Sequence, residues 1–166
     1  MLKPAVFLDR DGVINIEKGY VYKIQDFEWI DGSQECIKFL NENNYYVFVV
    51  SNQSGIARGL YTEDEVSHLH KYINATLKKI NAHIDEFFIS PYHPIFPNKF
   101  SNLIHLRKPN IGMLQLAESK WSIDKNNSFL IGDKKTDIEC ANNYGIRGHL
   151  FKNGNLLDFI KKSEDL

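Results

Sequence analysis

A chain of 166 residues suits one domain with a core that needs no disulfide or metal staple, and is short for two. Twenty basic against twenty-one acidic side chains leave a formal net charge of −1, no electrostatic signature for nucleic acid or an anionic membrane, so a small-molecule partner is expected. The opening MLKPAVFLDR carries only a short apolar stretch interrupted by Pro4, far below a signal-peptide core or a membrane span, and a cytoplasmic protein is expected.

The first element is AVFL (5–8), an apolar run that reads as a fully buried strand and ends in Asp9, Arg10, Asp11 and Gly12. Two carboxylates on one bend repel each other unless a cation or shared proton relieves them, so the pair asks for a chemical purpose. Residues 12–32 then form a connection too long for a turn, before Ser33 introduces a helix through QECIKFLNENN. The second strand, YYVFVV (45–50), runs into SNQSGIARG (51–59). Thr62 and Glu65 have capping-box spacing ahead of Val66, Leu69, Ile73, Leu77 and Ile80, which share one helical face. EFFIS (86–90) is the third strand, followed by a second long connection, 91–107, that ends in RKP. Pro109 suits the first turn of a helix through Met113, Leu114 and Ala117. SFLI (128–131) leads into GDKKTD (132–137), with a helix from near Thr136 to Gly145. GHLF (148–151) and a helix near Leu156–Lys162 close the chain. Cys36 and Cys140 fall on helix faces and read as small buried hydrophobes.

Strands alternating with helices argue for an α/β domain spanning 1–166, a doubly wound parallel sheet covered on both faces. Ligands bind at the carboxyl edge of such a sheet. Folding therefore gathers Asp9, Asp11, Ser51, Lys108 and Asp133 into one cleft. That set suits phosphoryl transfer to a carboxylate. Anion must approach anion, and two unit charges about 4 Å apart at an effective dielectric near 20 repel by roughly 4 kcal/mol, so cations are needed. Asp9 and Asp133 suit Mg²⁺, a hard ion that prefers oxygen, and Lys108 adds a fixed charge. Asp9 is the candidate nucleophile. Asp11, its side chain held off the metal, is the candidate acid and base, and Ser51 with the Asn52 N–H the candidate donors to the transferring oxygens.

FLDRDGVIN, SNQSG, RKP and IGDKKTDIECA together resemble the four motifs of the haloacid dehalogenase superfamily of aspartate-nucleophile phosphatases. Across nearly the whole chain, INIEKGYVYKIQDFEWIDG (14–32) and SNQSGIARGLYTE (51–63) resemble its D-glycero-D-manno-heptose 1,7-bisphosphate phosphatase branch, related to histidinol-phosphate phosphatases. The resemblance implies a Rossmann-like core without a large cap domain, and a monomer is expected. It implies a Mg²⁺ site of Asp9, Asp11 and Asp133, and removal of the C7 phosphate in bacterial nucleotide-heptose, lipopolysaccharide or surface-glycan synthesis. It also implies that Glu17, Lys18, Gly19, Tyr20, Asn52, Gln53, Ser54, Arg107 and Lys134 contact the sugar bisphosphate, with cationic Arg107 or Lys134 on the phosphate that is not cleaved.

The chain departs from the branch at its structural zinc, whose three-cysteine, one-histidine positions are Ser90, Tyr92, Ile104 and Leu106 here. His93 and His105 lie nearby without a thiolate partner, so no zinc is expected, and the loop is left to be pinned by the prolines and aromatics of PYHPIFPNKF. His68, His70 and His83 read as surface or partly packed residues of a helix and its exit. Two alternatives stand beside the heptose reading: a histidinol-phosphate phosphatase, and a receiver module with a phosphorylatable aspartate. Asp11 counts against the receiver, which needs a long-lived acyl phosphate.

Overall fold

A computed structural model describes residues 1–96 and 98–166. Among them five strands, β1 (Ala5–Leu8), β2 (Tyr46–Asn52), β3 (Glu86–Ser90), β4 (Phe129–Gly132) and β5 (Arg147–Leu150), form one parallel sheet in the order β3-β2-β1-β4-β5. Side chains alternate across a strand, so each apolar run feeds two cores. Val6, Leu8, Val47, Val49, Phe129 and Ile131 face α1 (Ser33–Glu42), α2 (Glu63–Lys78) and α5 (Leu156–Glu164), through Ile37, Leu40, Leu69, Ile73, Leu77 and Ile160. Ala5, Phe7, Phe48, Val50 and Leu130 face α3 (Gly112–Lys120) and α4 (Lys135–Tyr144), through Met113, Leu114, Cys140 and Tyr144. The expected doubly wound architecture is what forms, and no large cap covers it among the described residues.

The order of strands reverses between β1 and β4, the neighbours at the centre of the sheet. A crevice opens there because the connections leaving the two strands part in opposite directions. Asp9 follows β1 and Asp133 follows β4. The β1–β4 ladder continues one residue further, the Asp9 N–H donating to the Ile131 carbonyl at 2.9 Å, which fixes the height of Asp9 above the sheet.

Thr62 and Glu65 close the expected capping box on α2, the Glu65 N–H donating to Thr62 Oγ1 at 3.2 Å and the Thr62 N–H to Glu65 Oε2 at 2.9 Å. Gly145 takes the left-handed position after α4, with φ +88°. Two starts differ from expectation. Ser33 is the first residue of α1 rather than its cap, and Gly32 precedes it. Pro109 lies before α3, because Asn110 donates to the Arg107 carbonyl at 2.9 Å and the Lys108 N–H is taken by the Asn52 side chain, closing residues 107–110 into a turn.

Both long connections are anchored. In 12–32, Val13, Ile14 and Val21 are buried in the first core, and Ile16 and Ile30 bond backbone to backbone with Glu28 and Ile14. In 91–107, Phe100 packs beside Ile56, Tyr61 and Val66, and Leu106 enters the second core. Pro97, one of the prolines expected to pin this loop, lies outside the described residues.

Candidate active site

The centre of the site is a buried ion cluster. Lys108 Nζ donates to Asp9 Oδ1 at 3.0 Å, to Asp137 Oδ1 at 2.6 Å and to the Val50 carbonyl at 2.7 Å. Burial opposes the charge on Lys108, but Asp9 and Asp137 outweigh it and hold the ammonium above the ordinary lysine value. Burial pushes the Asp9 carboxyl well above the ordinary carboxylate value. Lys108 pulls it back, and the charges of Asp137, Asp11 and Asp133 push it further up. Two carboxylates share one lysine with Asp133 beside them, and a further cation at this point would offset the excess negative charge.

The donor set fits a hard divalent ion. Asp9, Asp133 and Asp137 each offer an oxygen, all within 4.8 Å of one another. Asp137, however, has both oxygens in use, Oδ1 on Lys108 and Oδ2 on the Lys134 N–H at 3.0 Å, so it anchors the lysine. Asp133 Oδ1 is buried with no hydrogen-bond partner among the described residues, an oxygen a cation would satisfy. Gly12 permits this approach. It sits at φ +86°, and a Cβ there would lie 2.2 Å from Asp133 Oδ2. Both hydrogen bonds to the Asp9 side chain, from Lys108 and from the Arg10 N–H at 3.0 Å, fall on Oδ1, which leaves Oδ2 with a lone pair to attack.

Asp11 stands apart from that cluster. Gln53 Nε2 reaches its Oδ2 at 3.0 Å, Asn15 Nδ2 its Oδ1 at 3.0 Å, and the Arg10 guanidinium both oxygens at 3.0 and 3.2 Å. Its carboxyl is thereby held away from the Asp9–Asp133–Asp137 cluster, facing a cleft of about 330 Å³. Glu17, Gly19, Tyr20, Asn52, Gln53, Ser54 and Lys134 line the same cleft. A larger hollow of about 670 Å³, between residues 56–65 and Phe96 and Phe100, contains none of the clustered carboxylates.

Several residues expected to touch substrate have other work. Asn52 brackets the Lys108 backbone, accepting from its N–H at 3.0 Å and donating to its carbonyl at 3.2 Å. Gln53 is buried, donating to Ser51 Oγ at 2.7 Å as well as to Asp11 and accepting from Tyr61 Oη at 2.6 Å. Lys18 pairs with Glu28 at 2.8 Å and does not line the cleft. Arg107 donates to the Tyr92 carbonyl at 3.3 Å across the base of its own loop. At the zinc-matching positions, Ser90, Tyr92 and Leu106 are buried and Ile104 is exposed. His93 Nδ1 accepts from the Ile95 N–H at 3.1 Å.

Sequence reasoning missed Asp137, Arg10 and Tyr61. The signal for Asp137 was present: Asp133 and Asp137, four apart where a helix begins, share a face. Arg10 and Tyr61 gave none, because a lone arginine or tyrosine near a motif is ordinarily solvated. Of the helix histidines, His68 and His83 are exposed, while His70 is buried.

The sequence family described as polynucleotide kinase 3 phosphatase matches residues 6–154. The D-glycero-beta-D-manno-heptose-1,7-bisphosphate 7-phosphatase of Rhodopseudomonas palustris is 38% identical over 161 residues, 96% of this chain and 89% of that protein. The D-glycero-alpha-D-manno-heptose-1,7-bisphosphate 7-phosphatase of Campylobacter jejuni is 40% identical over 146 residues, 88% of this chain and 80% of that protein. Among solved structures, D,D-heptose 1,7-bisphosphate phosphatase from B. bronchiseptica, complexed with magnesium and phosphate, superposes with a TM-score of 0.81 at 26% identity, covering 96% of this chain and 86% of that one.

Proposed function

The chain belongs to the polynucleotide kinase 3 phosphatase family of haloacid dehalogenase-like phosphatases, and from that membership we propose that it removes the C7 phosphate of a D-glycero-D-manno-heptose 1,7-bisphosphate. The observation that carries the chemistry is the buried Asp9–Lys108–Asp137 cluster beside the partnerless oxygen of Asp133, set at the reversal of strand order. We read residues 1–166 as one domain, a cytoplasmic monomer that supplies nucleotide-heptose synthesis for bacterial surface glycans.

In the first step Asp9 Oδ2 attacks phosphorus, the bond from phosphorus to the sugar oxygen breaks, and Asp11 delivers a proton to that oxygen. Lys108 and the Ser51 hydroxyl meet the charge developing on the phosphoryl oxygens. In the second step Asp11, now a carboxylate, takes a proton from water as the water oxygen attacks phosphorus. The bond from phosphorus to Asp9 breaks, releasing inorganic phosphate. Asp9 and Asp133, with Asp11 beside them, would hold Mg²⁺, which would supply the positive charge that lets phosphate approach a carboxylate. No zinc is proposed for 91–107, where Tyr92, Ile104 and Leu106 stand at positions matching the ligands and offer no thiolate or imidazole.

The test is phosphate release with Mg²⁺ over both anomers of the heptose bisphosphate, sugar monophosphates, histidinol phosphate and nucleotides. The heptose bisphosphate should be preferred and should lose one phosphate only, and EDTA should stop the reaction until Mg²⁺ is returned. Comparable rates on every substrate overturn the heptose assignment, and activity that survives EDTA overturns the metal.

A further inference from the structure

Arg10 lies between the two acids of the motif and is the largest fully buried side chain among the described residues. Its guanidinium reaches three elements. One nitrogen, Nη2, donates to both oxygens of Asp11 and to the carbonyl of Val21 in the 12–32 connection. The other, Nη1, lies 3.2 Å from Nε2 of His70 on α2. A guanidinium only donates, so His70 Nε2 is an acceptor and the ring is the neutral tautomer with its proton on Nδ1. The ring stacks on Phe87 of β3, centroids 4.3 Å apart and planes 15° apart, which fixes the direction of that lone pair. Burial, reinforced by Arg10, pushes the His70 pKa down to about 3.

A structural role alone accounts poorly for this arrangement. A buried charge contributes little to stability compared with an apolar side chain of similar volume, and Arg10 Nε remains buried with no partner among the described residues. What the guanidinium does accomplish is geometric. With Asn15 and Gln53 it fixes Asp11 Oδ1 and Oδ2, and through Val21 it fixes the connection whose Glu17, Gly19 and Tyr20 line the cleft.

We propose that Arg10, seated by the His70–Phe87 stack, is a positioning residue that holds the Asp11 carboxyl at the leaving oxygen and couples it to the substrate-facing connection. The inference rests on the phosphatase reading above and deepens it. His70 acts at one remove, since it touches neither Asp11 nor the cleft.

Leaving groups separate this role from a general effect on folding. A sugar alkoxide needs a proton as it departs, whereas a 4-nitrophenolate hardly does, and kcat/KM reports the step in which the leaving group is lost. His70→Ala should lower kcat/KM for the heptose bisphosphate by about tenfold, a fraction of the hundredfold or more that a positioned acid contributes. For 4-nitrophenyl phosphate kcat/KM should change less than about twofold on the same scale. Slowed water activation should then give this substrate a burst of nitrophenolate before a slow steady state. His70→Gln, which offers an oxygen acceptor to Nη1, should restore the sugar substrate. Arg10→Lys keeps the charge without the fork and should show the same selective loss. Equal losses on both substrates, or no loss in any variant, overturn the positioning role. A wild-type protein that releases phosphate from no monoester rejects the phosphatase reading itself.

Discussion

Lys108 and Arg107 are neighbours in sequence and belong to two different kinds of structure. Lys108 is buried, and its three acceptors come from the end of β1, from β2 and from the first turn of α4. Arg107 is half-buried, with one long hydrogen bond among the described residues, to a carbonyl of its own loop. The first side chain cannot move without breaking contacts among three elements. The second leaves most of its donors for a ligand. The contrast extends outward: Asp9, Asp137 and Asn52 bond to Lys108 and Gln53 to Asp11, while Lys18, Tyr20 and Lys134 are exposed on the surrounding connections. On the proposed reading, the sheet edge would carry the chemistry common to every phosphate monoester, and the rim would tell one monoester from another.

The largest effect should come from the centre. Asp9→Asn keeps shape and volume but removes the proposed attacking oxygen and a proposed metal ligand, so turnover should fall below roughly one ten-thousandth of wild type, as for other nucleophiles. The far-ultraviolet circular dichroism should be unchanged. Multiple turnover by this variant would take Asp9 out of the mechanism. Lys108→Ala should follow, with losses of about a hundredfold or more on every substrate, since the charge acts on the transferring group. A loss confined to the bisphosphate would move Lys108 from the centre to the rim and erase the contrast.

Gly12→Ala tests how closely the centre is fitted. A Cβ there meets Asp133 Oδ2 at 2.2 Å on a backbone already at positive φ. Displacing that carboxylate should raise the Mg²⁺ concentration for half-maximal activity by about ten- to a hundredfold, the scale seen when a ligand's supports are disturbed. An unchanged Mg²⁺ dependence would show that Asp133 is not a ligand.

Much of the centre could be read from the chain because each piece sits just past a strand, where local pattern and topology agree. AVFL followed by Asp9 and Asp11, and SFLI followed by Gly132 and Asp133, place the acids without any knowledge of packing. The packing around the centre was harder. Asn52 and Gln53, expected to contact substrate, line the cleft, and their amides also bond Lys108, Ser51, Asp11 and Tyr61, partners 42 to 56 residues away in three of the contacts. No local pattern encodes such distances. His70 illustrates the same limit, since its helical position is legible and its burial depends on β3 and on Arg10 arriving beside it.

Arg107→Ala sharpens the rim side of the comparison. It should reduce kcat/KM for the bisphosphate by about tenfold or more, the value of a lost charge-assisted contact, while a small monoester with no second phosphate changes little. Equal losses on the two would show that the tie to the Tyr92 carbonyl is all that Arg107 supplies. Recognition of the remote phosphate would then pass to Lys134, which lines the cleft.

The smallest effect concerns stability, and it asks whether the fixed centre extends through Arg10 to α2. His70 is neutral in the fold with a pKa near 3, against an unfolded value near 6.5. Arg10 bonds to it, Asp11 acts on it from beyond Arg10, and Phe87 covers its face. Between those two values the unfolded chain binds the extra proton, so this contribution is complete above about pH 6.5 and declines as pH falls towards 3. The decline is about 1.4 kcal/mol per pH unit, or roughly 2 kcal/mol by pH 5. The carboxylates titrate in wild type and variant alike and cancel in a difference. Urea unfolding at pH 7 and pH 5 should therefore show wild type losing about 2 kcal/mol more than His70→Gln. Parallel losses in the two proteins would mean that His70 is reached by water and protonated in the fold. In that case the fixed region ends at Arg10, and α2 belongs with the surroundings of the site rather than with its centre.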